Sequence, residues 1–143
     1  ANPHQWVSSE LWLALRSCAP PGFTVLEAAG VRLPDGSLLI PDLIVVARPK
    51  AETLGMTMNA AADIALAIEI VSPGSHTLDR VTKPTLYAQA GIPNFWRVEV
   101  DHRILVYRLA GDAYAEVAAV HPGQPLTTDE PFPMALDPSL LAE

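Results

Sequence analysis

Two acids stand out against their neighbours. Glu69 interrupts the apolar run Ala65-Leu66-Ala67-Ile68-Glu69-Ile70-Val71, and Asp42 opens a second apolar run, Leu43 to Ala47. An uncompensated carboxylate is costly to hold in an apolar site, so each needs a metal, a cation or a solvent-filled cleft beside it. Acids on neighbouring core strands are what metal-assisted phosphodiester hydrolysis requires. The ion needs rigidly held hard oxygen ligands while it polarises a phosphoryl oxygen and lowers the pKa of bound water. Simpler readings stand beside this one. Asp42 follows Pro41 and also reads as a turn or strand-edge acid. Glu69 also reads as the partner of an arginine such as Arg97, or as a solvent-facing strand residue. Asp79 and Lys83, four apart with the acid first, also read as a helix-surface ion pair.

The elements that must position these residues follow from periodicity. Val7, Leu11, Ala14, Leu15 and Cys18 recur at helical spacing, so residues 3 to 18 are expected to form a helix, with Asn2-Pro3 at its start and Pro20-Pro21-Gly22 beyond its end. Two or three strands are expected from Phe23 to Ala47 around a turn at Pro34-Asp35-Gly36; the last, Asp42 to Ala47, reads as buried on both faces. Residues 48 to 62 read as a loop or short helix. The Glu69 strand follows, then a helix over Thr77 to Ala90 closed by Gly91 and Pro93. Strands are expected over Phe95 to Val100 and Ile104 to Leu109, joined by a turn at Asp101-His102-Arg103. A weaker strand, Tyr114 to Val120, and a proline-rich tail with a short helix near Asp137 to Leu141 complete the pattern.

Half of the 143 residues are hydrophobic, enough for one domain to bury a core without disulfides. The single cysteine, Cys18, cannot form an internal disulfide, and no Cys-x-x-Cys or Cys/His cluster offers a zinc site. A reducing cytoplasm is the expected compartment. No run of about 18 apolar residues suggests a membrane span, so no membrane partner is expected. The chain opens at Ala1 without methionine, in what already reads as a helix, so residues upstream are expected to be missing from it.

The net charge of −7 is the wrong sign for binding nucleic acid mainly through phosphate neutralisation. Charge is uneven, however. From Arg80 to Arg108 five bases (Arg80, Lys83, Arg97, Arg103, Arg108) face two acids (Glu99, Asp101), whereas the tail after Arg108 carries six acids and no Lys or Arg. A local basic surface is compatible with this pattern. Ser72 and Ser75 lack a Gly-x-Ser-x-Gly elbow and credible partners, which argues against a serine hydrolase. His76, His102 and His121 read as loop residues, and Trp6, Trp12 and Trp96 as core or interface residues.

Order and context sharpen the reading. Pro41-Asp42, Glu69, Ser72-Pro73, Asp79, Lys83, Tyr87-Ala88, Gly91-Ile92-Pro93 and Phe95-Trp96 form a pattern that resembles the bacterial restriction endonuclease family, Uma-type, of the PD-(D/E)XK nuclease superfamily. The resemblance runs from about residue 4 to 110 and is densest between Ala67 and Asp101. It implies a restriction-endonuclease-like α/β core, a central mixed β-sheet flanked by helices, as a single nuclease-like domain over residues 1–143.

The resemblance further implies that Asp42 and Glu69 bind Mg²⁺ or Mn²⁺, with the backbone carbonyl of Ile70 completing the set. The superfamily's common pattern places a lysine two residues after the acid, where this chain has Val71. Lys83 on the following helix is the implied replacement, orienting water or stabilising the charged transition state, with Asp79 orienting Lys83 or touching the metal through water. Pro84 constrains that helix: either it kinks there, or it begins near Pro84 with Thr82 as N-cap and Lys83 at its mouth. His4 matches a histidine frequent near the start of the family's first helix, although helix-surface or packing use is the simpler reading. The implied activity is metal-dependent endonucleolytic hydrolysis of DNA. The competing expectation is a catalytically inactive, homodimeric nuclease-fold module that binds a protein or small ligand.

Overall fold

The computed structural model describes residues 2–74 and 78–142, and of Asp79 the backbone alone. Helix α1 spans Pro3–Cys18. Its start is fixed by a reciprocal cap, the Asn2 side chain accepting from the Gln5 N–H at 2.8 Å while the Gln5 side chain accepts from the Asn2 N–H. Val7, Leu11 and Leu15 form its buried stripe.

That stripe packs on a six-stranded mixed sheet. The strands are β1 (Thr24–Glu27), β4 (Leu43–Val46), β6 (Ile64–Ile70), β7 (Asn94–Val98), β8 (Ile104–Ala110) and β9 (Ala113–Val120), side by side in that order. All pairings are antiparallel except β6 with β7. A parallel pair needs a crossover, and the chain between these strands supplies it as helix α3, Lys83–Gln89. Alternation along the strands divides the core. Leu43, Val45, Leu66, Ile68 and Ile70 face α1, whereas Ile44, Val46 and Ala67 share a second cluster with Tyr87 of α3.

Two pairings position the acids. Leu43 of β4 lies opposite Ile68 of β6, so the next step along that antiparallel ladder sets Asp42 beside Glu69. Across the parallel pair, Glu69 lies beside Arg97.

Most of the expected elements are present with small shifts in their ends. The Pro34-Asp35-Gly36 turn joins β2 (Val31–Arg32) to β3 (Leu38–Leu39), with Gly36 at φ 89°. Residues 48 to 62 contain the expected short helix, α2 (Lys50–Thr53), but also a strand, β5 (Asn59–Ala60), which pairs parallel with β2. The proline-rich tail holds an unexpected hairpin of β10 (Leu126–Thr128) and β11 (Met134–Leu136), and the expected terminal helix is one 3₁₀ turn, Pro138–Leu141. Strands of two or three residues are too short for periodicity to reveal.

Of the two expected geometries at Pro84 the second holds: α3 begins at Lys83, with Thr82 at its N-cap position and Pro84 in its first turn. A π-helical turn, Leu78–Thr82, runs straight into α3, whose first residue is Lys83 and second Pro84. Thr82, at the N-cap position, has helical torsions (φ −68°, ψ −54°) and makes no side-chain cap, because the π-turn runs on through it. Proline is tolerated in this first α-turn, where N–H groups lack intrahelical partners within the α segment. Thr77, at the start of the expected helix, lies outside the described residues, as do Ser75 and His76. No helix among the described residues is long and apolar enough to cross a membrane.

Leu11 is fully buried where α1 crosses the sheet. Leu11→Ala is expected to lower unfolding free energy by about 3 kcal/mol, measured by urea denaturation; a loss below about 1 kcal/mol would contradict this packing.

Candidate active site

Among the described residues Glu69 is the most deeply buried acid, with only 1% of its surface exposed. Both its oxygens are occupied. Oε1 lies 3.2 Å from Lys83 Nζ, and Oε2 accepts from the Tyr87 hydroxyl at 2.5 Å. Lys83 and Tyr87 are four residues apart on α3, so one face of that helix presents a cation and a phenol together. Asp42 is held differently. Its Oδ2 accepts from the Ile70 N–H at 2.6 Å, and its Oδ1 lies 3.0 Å from His4 Nε2.

The structure therefore brings Asp42, Glu69, Ile70 and Lys83 together. The Asp79 side chain lies outside the described residues. Arg97 turns away from Glu69 and donates through Nε to Glu99 Oε1 at 2.7 Å, so the expected arginine partner of Glu69 is replaced by Lys83. Lys83 itself is mostly covered and pairs with Glu69; the expected helix pair with Asp79 lies outside the described residues.

Burial dominates the electrostatics of Glu69. It pushes the carboxyl up, the neighbouring Asp42 charge adds to the rise, and the Tyr87 hydrogen bond and Lys83 charge oppose it; the result is a pKa of about 7. Tyr87, buried against these acids, is raised far above the ordinary phenol range, so it remains a donor. Glu99 is also buried, which raises its pKa, yet hydrogen bonds from Arg80 and Arg97 hold it below the ordinary glutamate value. The basic stretch is thus partly matched internally, since Arg103 also pairs with Asp101 at 2.9 Å.

Sequence reasoning undervalued two residues. His4 matches a family histidine but reads more simply as a helix-surface or packing residue, yet it touches Asp42 across about forty positions of chain. Tyr87 appeared only as part of a motif, although its spacing from Lys83 was a usable signal. Beside Asp42's partners opens a cleft of about 720 Å³, lined in part by His4, Ile70, Ser72, Glu99 and His102.

Among the described residues no three His, Cys, Asp or Glu side chains form a ready ligand group. The donor set nevertheless suits a hard cation. Two adjacent carboxylates repel, as the contribution of Asp42 to Glu69 shows, and a magnesium-type ion uses one or two carboxylates while retaining several waters.

The mixed sheet and its crossover helix make an α/β fold in which α3 brings Lys83 and Tyr87 onto acids held on paired strands. A crystal structure of a "putative nuclease belonging to DUF820" from Anabaena variabilis superposes with a TM-score of 0.76 at 15% identity, covering 99% of this chain and 80% of that one. At that identity the likeness establishes the fold. The family model Uma2, described as "Putative restriction endonuclease", matches residues 1–141, and the chain belongs to that family. Comparison with curated proteins gives no match.

The raised pKa of Glu69 has a definite sign. Between pH 4.5 and about 7 the folded protein keeps a proton that the unfolded chain has released, so this group's contribution falls as pH rises through that window. The full effect is on the order of 3 kcal/mol. Glu69→Gln is expected to flatten the decline in unfolding free energy between pH 5 and pH 8 relative to the unmodified protein. Equal slopes in urea titrations would contradict a raised pKa.

Proposed function

We propose that this protein is a Mg²⁺- or Mn²⁺-dependent endonuclease that hydrolyses DNA, with residues 1–143 acting as one nuclease domain. The observation that carries this reading is the adjacency of Asp42 and Glu69 on paired strands, with Lys83 beside Glu69 at 3.2 Å. Asp42 and Glu69 would hold the ion, and the Ile70 carbonyl is the proposed third protein oxygen. When bound, the ion supplies polarisation of the phosphoryl oxygen and a lowered pKa for water.

The chain's own residues have separable tasks. The Ile70 N–H and His4 fix the Asp42 carboxylate, so its orientation is set before substrate arrives. Tyr87 fixes one Glu69 oxygen from the floor of the site. Lys83 keeps a positive charge at the other, from which it orients the attacking water or stabilises negative charge developing on the phosphoryl group. Asp79, one turn earlier, is proposed to orient Lys83 or to contact the ion through water.

A second reading, an inactive, homodimeric nuclease-fold binding module, draws support from two observations. The net charge is −7, and both Glu69 oxygens are already engaged by Lys83 and Tyr87.

With Mn²⁺ the purified protein is expected to nick plasmid or single-stranded DNA. Glu69→Ala should abolish this while keeping its circular dichroism spectrum, and Lys83→Ala should slow it by roughly 10²- to 10³-fold. Activity unchanged in folded Glu69→Ala would sink the assignment. Absence of Mn²⁺ binding by calorimetry together with absence of cleavage would favour the inactive module.

A further inference from the structure

Beyond the acids, on the same side of the sheet, lies a second hollow of about 300 Å³ under the π-turn and the start of α3. Three aromatic rings, those of Phe95, Tyr107 and Tyr114, form part of its lining. Phe95 is stacked with Tyr114 (centroids 5.4 Å apart, planes at 20°) and lies 5.8 Å from Tyr107. The Arg97 guanidinium carbon sits 5.5 Å from the Tyr107 ring centre. Arg80, from the π-turn, and Asp112, from the β8–β9 turn, bring a donor and an acceptor to the same hollow.

We infer that this hollow is a nucleobase-binding pocket, taking one unstacked base of a single-stranded DNA substrate beside the candidate active site. This rests on the nuclease reading above and adds the site by which substrate is gripped. Flat aromatic and guanidinium surfaces stack on the π-face of any base. A base edge carries both donors and acceptors, which suits guanidinium groups and the Asp112 carboxylate better than a phosphate would, because Glu99, bonded to both Arg80 and Arg97, and Asp112 offset the positive charge there. The volume is at the lower end of small-ligand sites and too confined for a base pair still in its stack.

Position ties the hollow to the acids. Arg97 is the ladder neighbour of Glu69, one strand away at about 4.8 Å. Pro84 and Thr85, which line the hollow, directly follow Lys83. Helix α3 therefore shows Lys83 and Tyr87 to Glu69 while Pro84, Thr85 and Ala88 border the hollow. A base held here sits beside the residues proposed to act on the sugar-phosphate chain. A π-turn at this junction agrees with the frequent placement of such turns at functional sites.

The test measures fluorescence anisotropy of a labelled twelve-nucleotide single strand at low salt in EDTA, where cleavage cannot proceed. The same strand carrying abasic positions, and deoxynucleoside monophosphates as competitors, form the other arms. The ordinary strand is expected to bind roughly tenfold more tightly than the abasic one. Tyr107→Leu and Ala113→Trp, the latter filling the hollow from an exposed position, should remove that difference while preserving the circular dichroism spectrum. Competition by monophosphates, lost in the same variants, would assign the pocket to free nucleotides as well. Equal binding of ordinary and abasic strands, or variants that keep the full difference, would overturn the pocket. Mn²⁺-dependent nicking is read separately, so a failed pocket and a failed nuclease assignment give different results.

Discussion

A carboxylate inside an apolar sheet must find donors before the strand around it can be buried, and Glu69 sets that demand at the middle of this protein. Its two oxygens are met by Lys83 and Tyr87, both from α3, so the polar requirement of β6 decides how the crossover helix is seated. The rest of the site follows from that seating. Tyr87 is simultaneously part of the apolar cluster under α3 and a hydrogen-bond donor, coupling packing to the position of the acid. Burial still wins over these donors, as the pKa near neutrality shows. A group so poised responds strongly to any charge placed nearby, which is why the adjacent Asp42 matters.

Asp42 is stabilised by different means. A backbone N–H from the neighbouring strand and His4 from α1 hold its two oxygens. The two acids are thus anchored from opposite layers of the fold, α1 on one side and α3 on the other, and the sheet register brings them together. This division leaves the lining of the cleft near His4 and Ile70 distinct from the aromatic hollow around Arg97 and Tyr107. An acidic protein can present such a surface to nucleic acid if binding depends on stacking and metal contacts more than on phosphate neutralisation. The matching of Arg80 and Arg97 to Glu99 fits that balance.

Much of this was legible in the sequence. Glu69 announced itself because period and hydropathy leave no ordinary place for an acid in IALAIEIV, and Pro41-Asp42 marked the entry to the adjacent strand. Local signals also gave α1 and its cap, the turn at Gly36 and the β7–β8 hairpin, since each depends on neighbours within a few residues. The pattern running from Pro41-Asp42 through Glu69, Ser72-Pro73, Lys83, Tyr87-Ala88 and Gly91-Ile92-Pro93 to Phe95-Trp96 sufficed to indicate the family, and the match over residues 1–141 agrees.

Tertiary structure decided what local spacing cannot encode. Whether Glu69 meets Arg97 or Lys83 depends on where the crossover helix lands, and strand periodicity favours neither. The recruitment of His4 to Asp42 joins residues far apart in the chain. The π-turn Leu78–Thr82 leads into the fresh helical start at Lys83-Pro84 that sequence rules offered as one of two choices, and local spacing does not reveal that turn. The sequence by itself determined which residues were chemically out of place and which elements would carry them. Their partners were settled by strand register and helix seating, because those satisfy long-range burial and hydrogen bonding all at once.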